Sequence, residues 1–193
     1  MRTLTVAAAL SLTSIIANTA SAQCEVEETV DQVTMNTTTA VVCQHNEGEF
    51  AVFNCLSTGD LVIGLFPGEF IGGDSSRVIM RGDAQSEPYS FQSGVGNDGQ
   101  WLRTPASSFL PIIQAFQSST QVFIRYMDYR DVSHDFIVSA TNFTSASSQL
   151  ACVTSLLERA AEREAQAADG EAIRAEMEAR GCEMRKEGWV CPD

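Results

Sequence analysis

The chain has 193 residues with 25 acidic against 12 basic side chains, a net charge of −13 with histidine neutral. That balance argues against binding to nucleic acid or to anionic lipid, because a polyanion would be repelled. The length suits one domain, or one domain with an appendage, and is enough to bury a core of its own.

Residues 1–22 read as a cleavable secretory signal. Arg2 supplies the basic start, Leu4 to Ile16 a moderately apolar run, and Ala20-Ser21-Ala22 the small residues of a cleavage site. The run is interrupted by Thr and Ser and falls short of the roughly 20 apolar residues that a membrane span needs. No transmembrane segment is expected elsewhere. Removal of Arg2 leaves 11 basic and 25 acidic residues, a net −14. Cys24 lies next to the cut, but lipid attachment favours a small residue just before the cysteine, and here Gln23 stands there.

Six cysteines follow: Cys24, Cys43, Cys55, Cys152, Cys182 and Cys191. An even number in an exported chain predicts three disulfides. Six cysteines allow fifteen pairings; one candidate closes Cys182 onto Cys191 in a short C-terminal loop and leaves the other four for two bridges that could tie the long helix to the N-terminal strands. There is no CxxC, and His45 and His134 are the only histidines, so no metal site and no cofactor are expected.

Along the chain, residues 23–38 are polar and acidic, and Asn36-Thr37-Thr38-Thr39 reads as a turn or linker. Ala40–Cys43 and Phe50–Phe53 flank a turn at Asn46-Glu47-Gly48 and predict a hairpin. Leu61–Phe66, Arg77–Arg81 and Tyr89–Phe91 are strands separated by glycine-containing turns. Phe109, Ile112, Ile113 and Phe116 fall on one helical face. Thr104 is the expected cap, Pro105 the first helical residue, and Pro111 predicts a late start or a kink. Gln121–Tyr129 and the alternation His134, Phe136, Val138 predict an antiparallel pair.

From residue 145 the composition turns to Ala, Glu, Arg, Gln and Leu, which are good helix formers. Leu150, Val153, Leu156 and Leu157 form an apolar stripe, which then fades to alanine. Asp169-Gly170 is expected to break or kink the helix. Glu171–Arg180 forms a second piece, with Gly181 at its terminating position. The second half is expected to project or be mobile, either as a solvated surface helix or as a docking arm of coiled-coil type. The predicted architecture is mainly β (α+β). It comprises an antiparallel β-sandwich-like domain over 23–144 with one inserted helix, and a C-terminal helical extension over 145–193 that ends in a cysteine loop.

Signals for chemistry are sparse. His134 is the best candidate base for a hydrolase, yet Asp135 beside it on a strand points to the opposite face. No G-x-S-x-G or S-x-x-K is present. Asp60, Asp74, Asp83 and Asp98 sit in turns without the alternating spacing of a calcium loop. Arg81-Gly82-Asp83 matches an adhesive tripeptide and also fits an ordinary strand-ending turn. Arg81, Arg125 and Trp101 are the candidate ligand contacts, because arginines on strand faces stand out in so acidic a chain.

The ordered series LVIGLF, RVIMRGD, YSFQS, GQWLR, FLPIIQAF, QVFIRYMDYR, HDFIVSATNF and SSQLACV lies within about residues 51–152. It resembles small exported bacterial proteins associated with type VI secretion and those of the invasion-associated locus B type. The resemblance implies a compact β-rich envelope module with interaction or assembly as its role, a bacterial origin, and no glycosylation of Asn36 or Asn142. The expectation is a periplasmic or secreted, non-enzymatic interaction module with an envelope or secreted protein as partner. The alternatives are a small-ligand or cation-binding periplasmic protein, and a hydrolase using His134.

Overall fold

A computed structural model describes residues 23–30, 37–96, 98–186 and 188–192; residues 1–22, expected to be a signal, lie outside them. Nine strands form one antiparallel sheet: β1 (Cys24–Val30), β2 (Thr37–Asn46), β3 (Glu49–Cys55), β4 (Leu61–Phe66), β5 (Ser75–Gly82), β6 (Tyr89–Val95), β7 (Leu102–Arg103), β8 (Gln121–Met127) and β9 (Ser133–Ser139). Their order is β1-β2-β3-β4-β7-β6-β5-β8-β9. The fold is the mainly β, α+β class expected.

The halves of the sheet meet at β7, which is two residues long and pairs with both β4 and β6. Beyond this narrow seam side chains take over the bonding. Thr104 donates its N–H and its hydroxyl to Ile63 O, and Ser93 Oγ donates to Arg103 O. So short a junction lets the sheet bend until β9 lies against β2 and β3, which are not its hydrogen-bonded neighbours. The Cys24 N–H then reaches Thr141 O at 2.8 Å. The inner faces follow the period-two rule of strands. Phe53, Ile63, Leu65, Val78, Met80, Val122, Ile124 and Val138 are all fully buried, or nearly so.

After a 3-10 turn at Ala106–Ser108, helix α1 (Phe109–Ser118) buries Ile112, Ile113 and Phe116 in this core. The late start follows from Pro111. It stands third in the helix, where an N–H has no intrahelical acceptor to lose. Thr104 does not cap α1, because its hydroxyl is committed to Ile63 O; the turn begins at Pro105. Helix α2 (Phe143–Ser147) brings Phe143 against Phe53 and Phe116, with ring centroids 4.6 and 5.2 Å apart.

Thr37–Thr39 belong to β2 and pair with Glu28, Thr29 and Val30, not to a linker. The strand was hidden because β1 is an edge strand with Glu25, Glu27 and Glu28 exposed. It therefore lacks a clean apolar alternation, and charges on an edge discourage pairing with other chains.

Helix α3 (Ala151–Ala179) runs 29 residues without interruption through Gly170. Its first turns bury Cys152 and Val153 and half-bury Leu156 and Leu157, whereas 161–176 are exposed throughout. The expected break at Asp169-Gly170 does not occur. One interior glycine costs only about 1 kcal/mol against alanine, and strong helix formers flank it on both sides. Nothing lies within 4 Å of a Cβ placed at Gly170. Gly170→Ala is therefore expected to stabilise α3 by about 0.5–1 kcal/mol, read as a higher midpoint for loss of helical circular dichroism.

Gly181, with φ of +77°, ends the helix: its N–H donates to Glu178 O, and that of Cys182 to Met177 O. This double bond pattern satisfies two orphan carbonyls. A small hairpin follows, β10 (Glu183–Arg185) with β11 (Gly188–Val190), closed by Cys182–Cys191. The other disulfides are Cys24–Cys43, across β1 and β2, and Cys55–Cys152, from the end of β3 to the start of α3. With Cys24 bonded to Cys43, its sulfur is not available for a thioether to lipid. Among the described residues no helix is long and apolar enough to cross a membrane.

Candidate functional site

Two of the three sequence-derived ligand candidates share one surface. Arg81 on β5 stands opposite Phe123 on β8, which stands opposite Ile137 on β9. In the outward row beside them, Ile79 stands opposite Arg125 and Arg125 opposite Asp135. Cross-strand partners project from the same face of a sheet, so these six side chains form a grid on the solvent side. With Pro88 they line a cleft of about 510 Å³.

Arg125 is engaged within it. Its Nε and one terminal nitrogen donate to the two oxygens of Asp135 at 2.6 and 2.7 Å. This fork raises the Arg125 pKa and holds Asp135 below the usual carboxylate range. Both side chains are more than half exposed, so the pair fixes geometry more than it stabilises the fold. Arg81 lies over the Phe123 ring at 6.0 Å from its centroid.

Trp101 lies elsewhere. Phe50, Phe66 and Trp101 form a near-parallel stack with centroid spacings of 4.4 and 5.8 Å. A Cβ at Gly96 would come within 1.9 Å of the Trp101 indole nitrogen, and one at Gly64 within 3.3 Å of its ring. The ring thus covers bare glycine backbone on the outside of the sheet. Asp83 of the Arg-Gly-Asp turn is also occupied. Its carboxylate accepts from the Thr120 N–H and hydroxyl, which holds its pKa down and anchors the entry to β8.

His134 sits in a network that the sequence did not announce. Its Nδ1 is 2.9 Å from Glu69 and its Nε2 3.3 Å from Asp128. The ring stacks on Tyr126 with centroids 5.2 Å apart, and the Tyr126 hydroxyl donates to the same Glu69 oxygen at 2.6 Å. Asp135 points away to Arg125, as the strand alternation requires. Asp128 is buried, and its carboxylate accepts from the N–H groups of Arg130 and Val132 and from the Arg130 guanidinium. Burial alone would raise its pKa, but these bonds outweigh burial and hold it well below the ordinary range. Both ring nitrogens of His134 thus face carboxylates, and all six cysteines are in disulfides, which leaves no thiol as a nucleophile. Among the described residues no group of three or more His, Cys, Asp or Glu is arranged to hold a metal ion.

Tyr126 gives this corner a pH signature. Burial, then its bond to the Glu69 carboxylate, pushes the phenol pKa upward. Above pH ~10 the unfolded phenol ionises while the folded one keeps its proton. The unfolded state then binds fewer protons, so stability falls as pH rises. Tyr126→Phe is expected to cost about 1–2 kcal/mol at neutral pH, for a lost bond to a charged acceptor. It should also flatten the alkaline fall. Urea midpoints of both proteins between pH 7 and 11 check this, and parallel curves would contradict it.

Glu69, Asp128 and Tyr126 were missed because they meet only through the tertiary fold: Glu69 is 57 residues from Tyr126 in sequence. Asp128 carried a partial signal, since an aspartate that opens a turn commonly accepts from backbone two residues on. Comparison with known proteins returns no family model, curated protein or solved structure that matches this chain.

Proposed function

We propose that this chain is an exported, non-enzymatic interaction or assembly module of the bacterial envelope, periplasmic or secreted, which captures a protein partner through the outer half of α3. The observation that carries the reading is the form of that helix. Beyond Leu157 it leaves the apolar body and runs on for some 20 residues, or roughly 30 Å at 1.5 Å per residue. Its end is nevertheless carefully built, with a glycine stop and a disulfide-closed hairpin. An isolated helix with so little apolar surface gains nothing from packing on its own domain. Ile173 is exposed on the helix, and Met184 and Val190 on the hairpin that follows it, which gives the arm apolar side chains to offer a partner. The three disulfides are compatible with an oxidising compartment. The likeness of residues 51–152 to exported envelope proteins points the same way.

Photo-crosslinkers placed at Ile173 and Met184 in the native envelope provide the test. A discrete crosslinked protein is expected for the full chain. A chain truncated after Ala161 should keep its melting midpoint and lose the crosslink. No crosslinked species, or capture that survives truncation in a pull-down, would sink the reading.

A further inference from the structure

The cleft on the outer face of β5, β8 and β9 carries a ligand chemistry of its own, independent of the α3 arm. Its volume of about 510 Å³ lies within the roughly 300–1,000 Å³ of small-molecule sites. Its walls are Ile79, Pro88, Phe123 and Ile137, so most of a bound molecule would meet hydrocarbon. The polar groups converge on its rim. Arg125 is already neutralised by Asp135 through both carboxylate oxygens. Arg81 pairs with no carboxylate among the described residues; its guanidinium carbon lies above the Phe123 ring, 6.0 Å from the centroid. With no carboxylate on it, the N–H fork is free to take a carboxylate in a bidentate manner. Four residues back along β5, on the same face, Arg77 is exposed and also pairs with no carboxylate among the described residues. Unpaired arginines on an apolar face are unexpected in a chain where acids outnumber bases two to one. The local field therefore opposes the global one and draws an anion to this cleft.

We propose that this cleft binds an amphipathic monocarboxylate, an alkyl chain with one carboxylate head, as in a medium-chain fatty acid. The head takes the Arg81 fork, and the chain lies on Phe123, Ile79 and Ile137. Of the two unpaired guanidiniums only that of Arg81 lines the cleft, which matches one negative charge, and Asp135 beside it disfavours a more highly charged head.

The probe is decanoate below its micelle concentration, titrated calorimetrically into full-length oxidised protein. Saturable one-to-one binding is expected. Arg81→Gln should weaken it at least tenfold, and Arg81→Lys, which keeps the charge without the fork, by less. Ile137→Glu, checked for an unchanged melting curve, should weaken it as much as Arg81→Gln. Arg103→Gln, on β7, should leave it unchanged. Decanol, with the same chain and no charge, should bind at least tenfold more weakly. Absence of saturable binding, equal binding of decanol, or equal affinity of Arg81→Gln would each overturn the assignment. So would a concentration-dependent dimer that Arg81→Gln dissociates, since the cleft would then receive a second copy of this chain. Truncation after Ala161 should leave decanoate binding intact, which separates failure here from failure of the arm.

Discussion

Replacing Cys55 and Cys152 together by alanine is expected to lower the unfolding free energy by about 4 to 5 kcal/mol, a large part of a typical domain stability of 5–15 kcal/mol. The bond joins residues 97 apart in sequence, with Cα atoms 5.7 Å apart, an ordinary separation for a disulfide. In the chain-entropy account the stabilisation grows with the closed loop, and a loop of this length gives the figure quoted. The bond also fixes where α3 starts: the Cys152 N–H donates to Cys55 Sγ at 3.2 Å, and Val153 next to it is buried. Loss of the bridge should therefore loosen the helix root as well as free the unfolded chain. Removing Cys182–Cys191, which spans nine residues beyond the helix, should leave the β body at its wild-type midpoint. Urea unfolding followed by far-ultraviolet circular dichroism separates the two. A loss below about 1 kcal/mol for the Cys55/Cys152 variant would contradict the loop-closure account.

Phe53→Ala is expected to cost about 3–5 kcal/mol, the range for a large aromatic removed from a closed core. Phe53 is wholly buried and meets Phe116 of α1 edge-on at 5.0 Å and Phe143 of α2 at 4.6 Å. The three rings join β3 to both helices that close this end of the sheet. Phe143→Ala should cost a similar amount. The double variant should cost less than the sum of the singles, because contacting residues share a cavity and a ring contact. Chemical denaturation of the four proteins checks this, and strict additivity would mean that the rings do not act as one cluster.

Of the two arginines at the cleft, Arg125 was legible in sequence as facing away from Val122, Ile124 and Tyr126, through the alternation with Phe123 and Met127, and Arg81 as the end of a strand. Their meeting was not. Arg81 and Phe123 are separated by some forty residues and face each other because β5 takes β8, not β4, as its neighbour. Trp101 was grouped with the arginines on residue type alone. The fold sets it over Gly64 and Gly96 with Phe66, a contact between strands that no local pattern encodes. His134 was read correctly as turned away from Asp135, because that is a property of any strand. Its real partners, Glu69 and Asp128, came from another loop and from the end of the neighbouring strand.

By itself the sequence determined the antiparallel strands and the glycine stop at Gly181, and it offered the late start of α1 and the closure of Cys182 onto Cys191 among its alternatives. Each is governed by residues within a few positions of one another, where periodicity, proline geometry and turn chemistry act directly. The tertiary structure decided the bend at β7, the threonine-rich edge of β2, the continuity of α3 through Gly170, the carboxylate clasp on His134 and the cleft beneath Arg81. Edge strands have no buried face to write an alternation, and one glycine is outweighed by its helical neighbours. A cleft exists only once distant strands are set side by side. The six cysteines could be read in one dimension; the chemistry of the surface required the register of three strands.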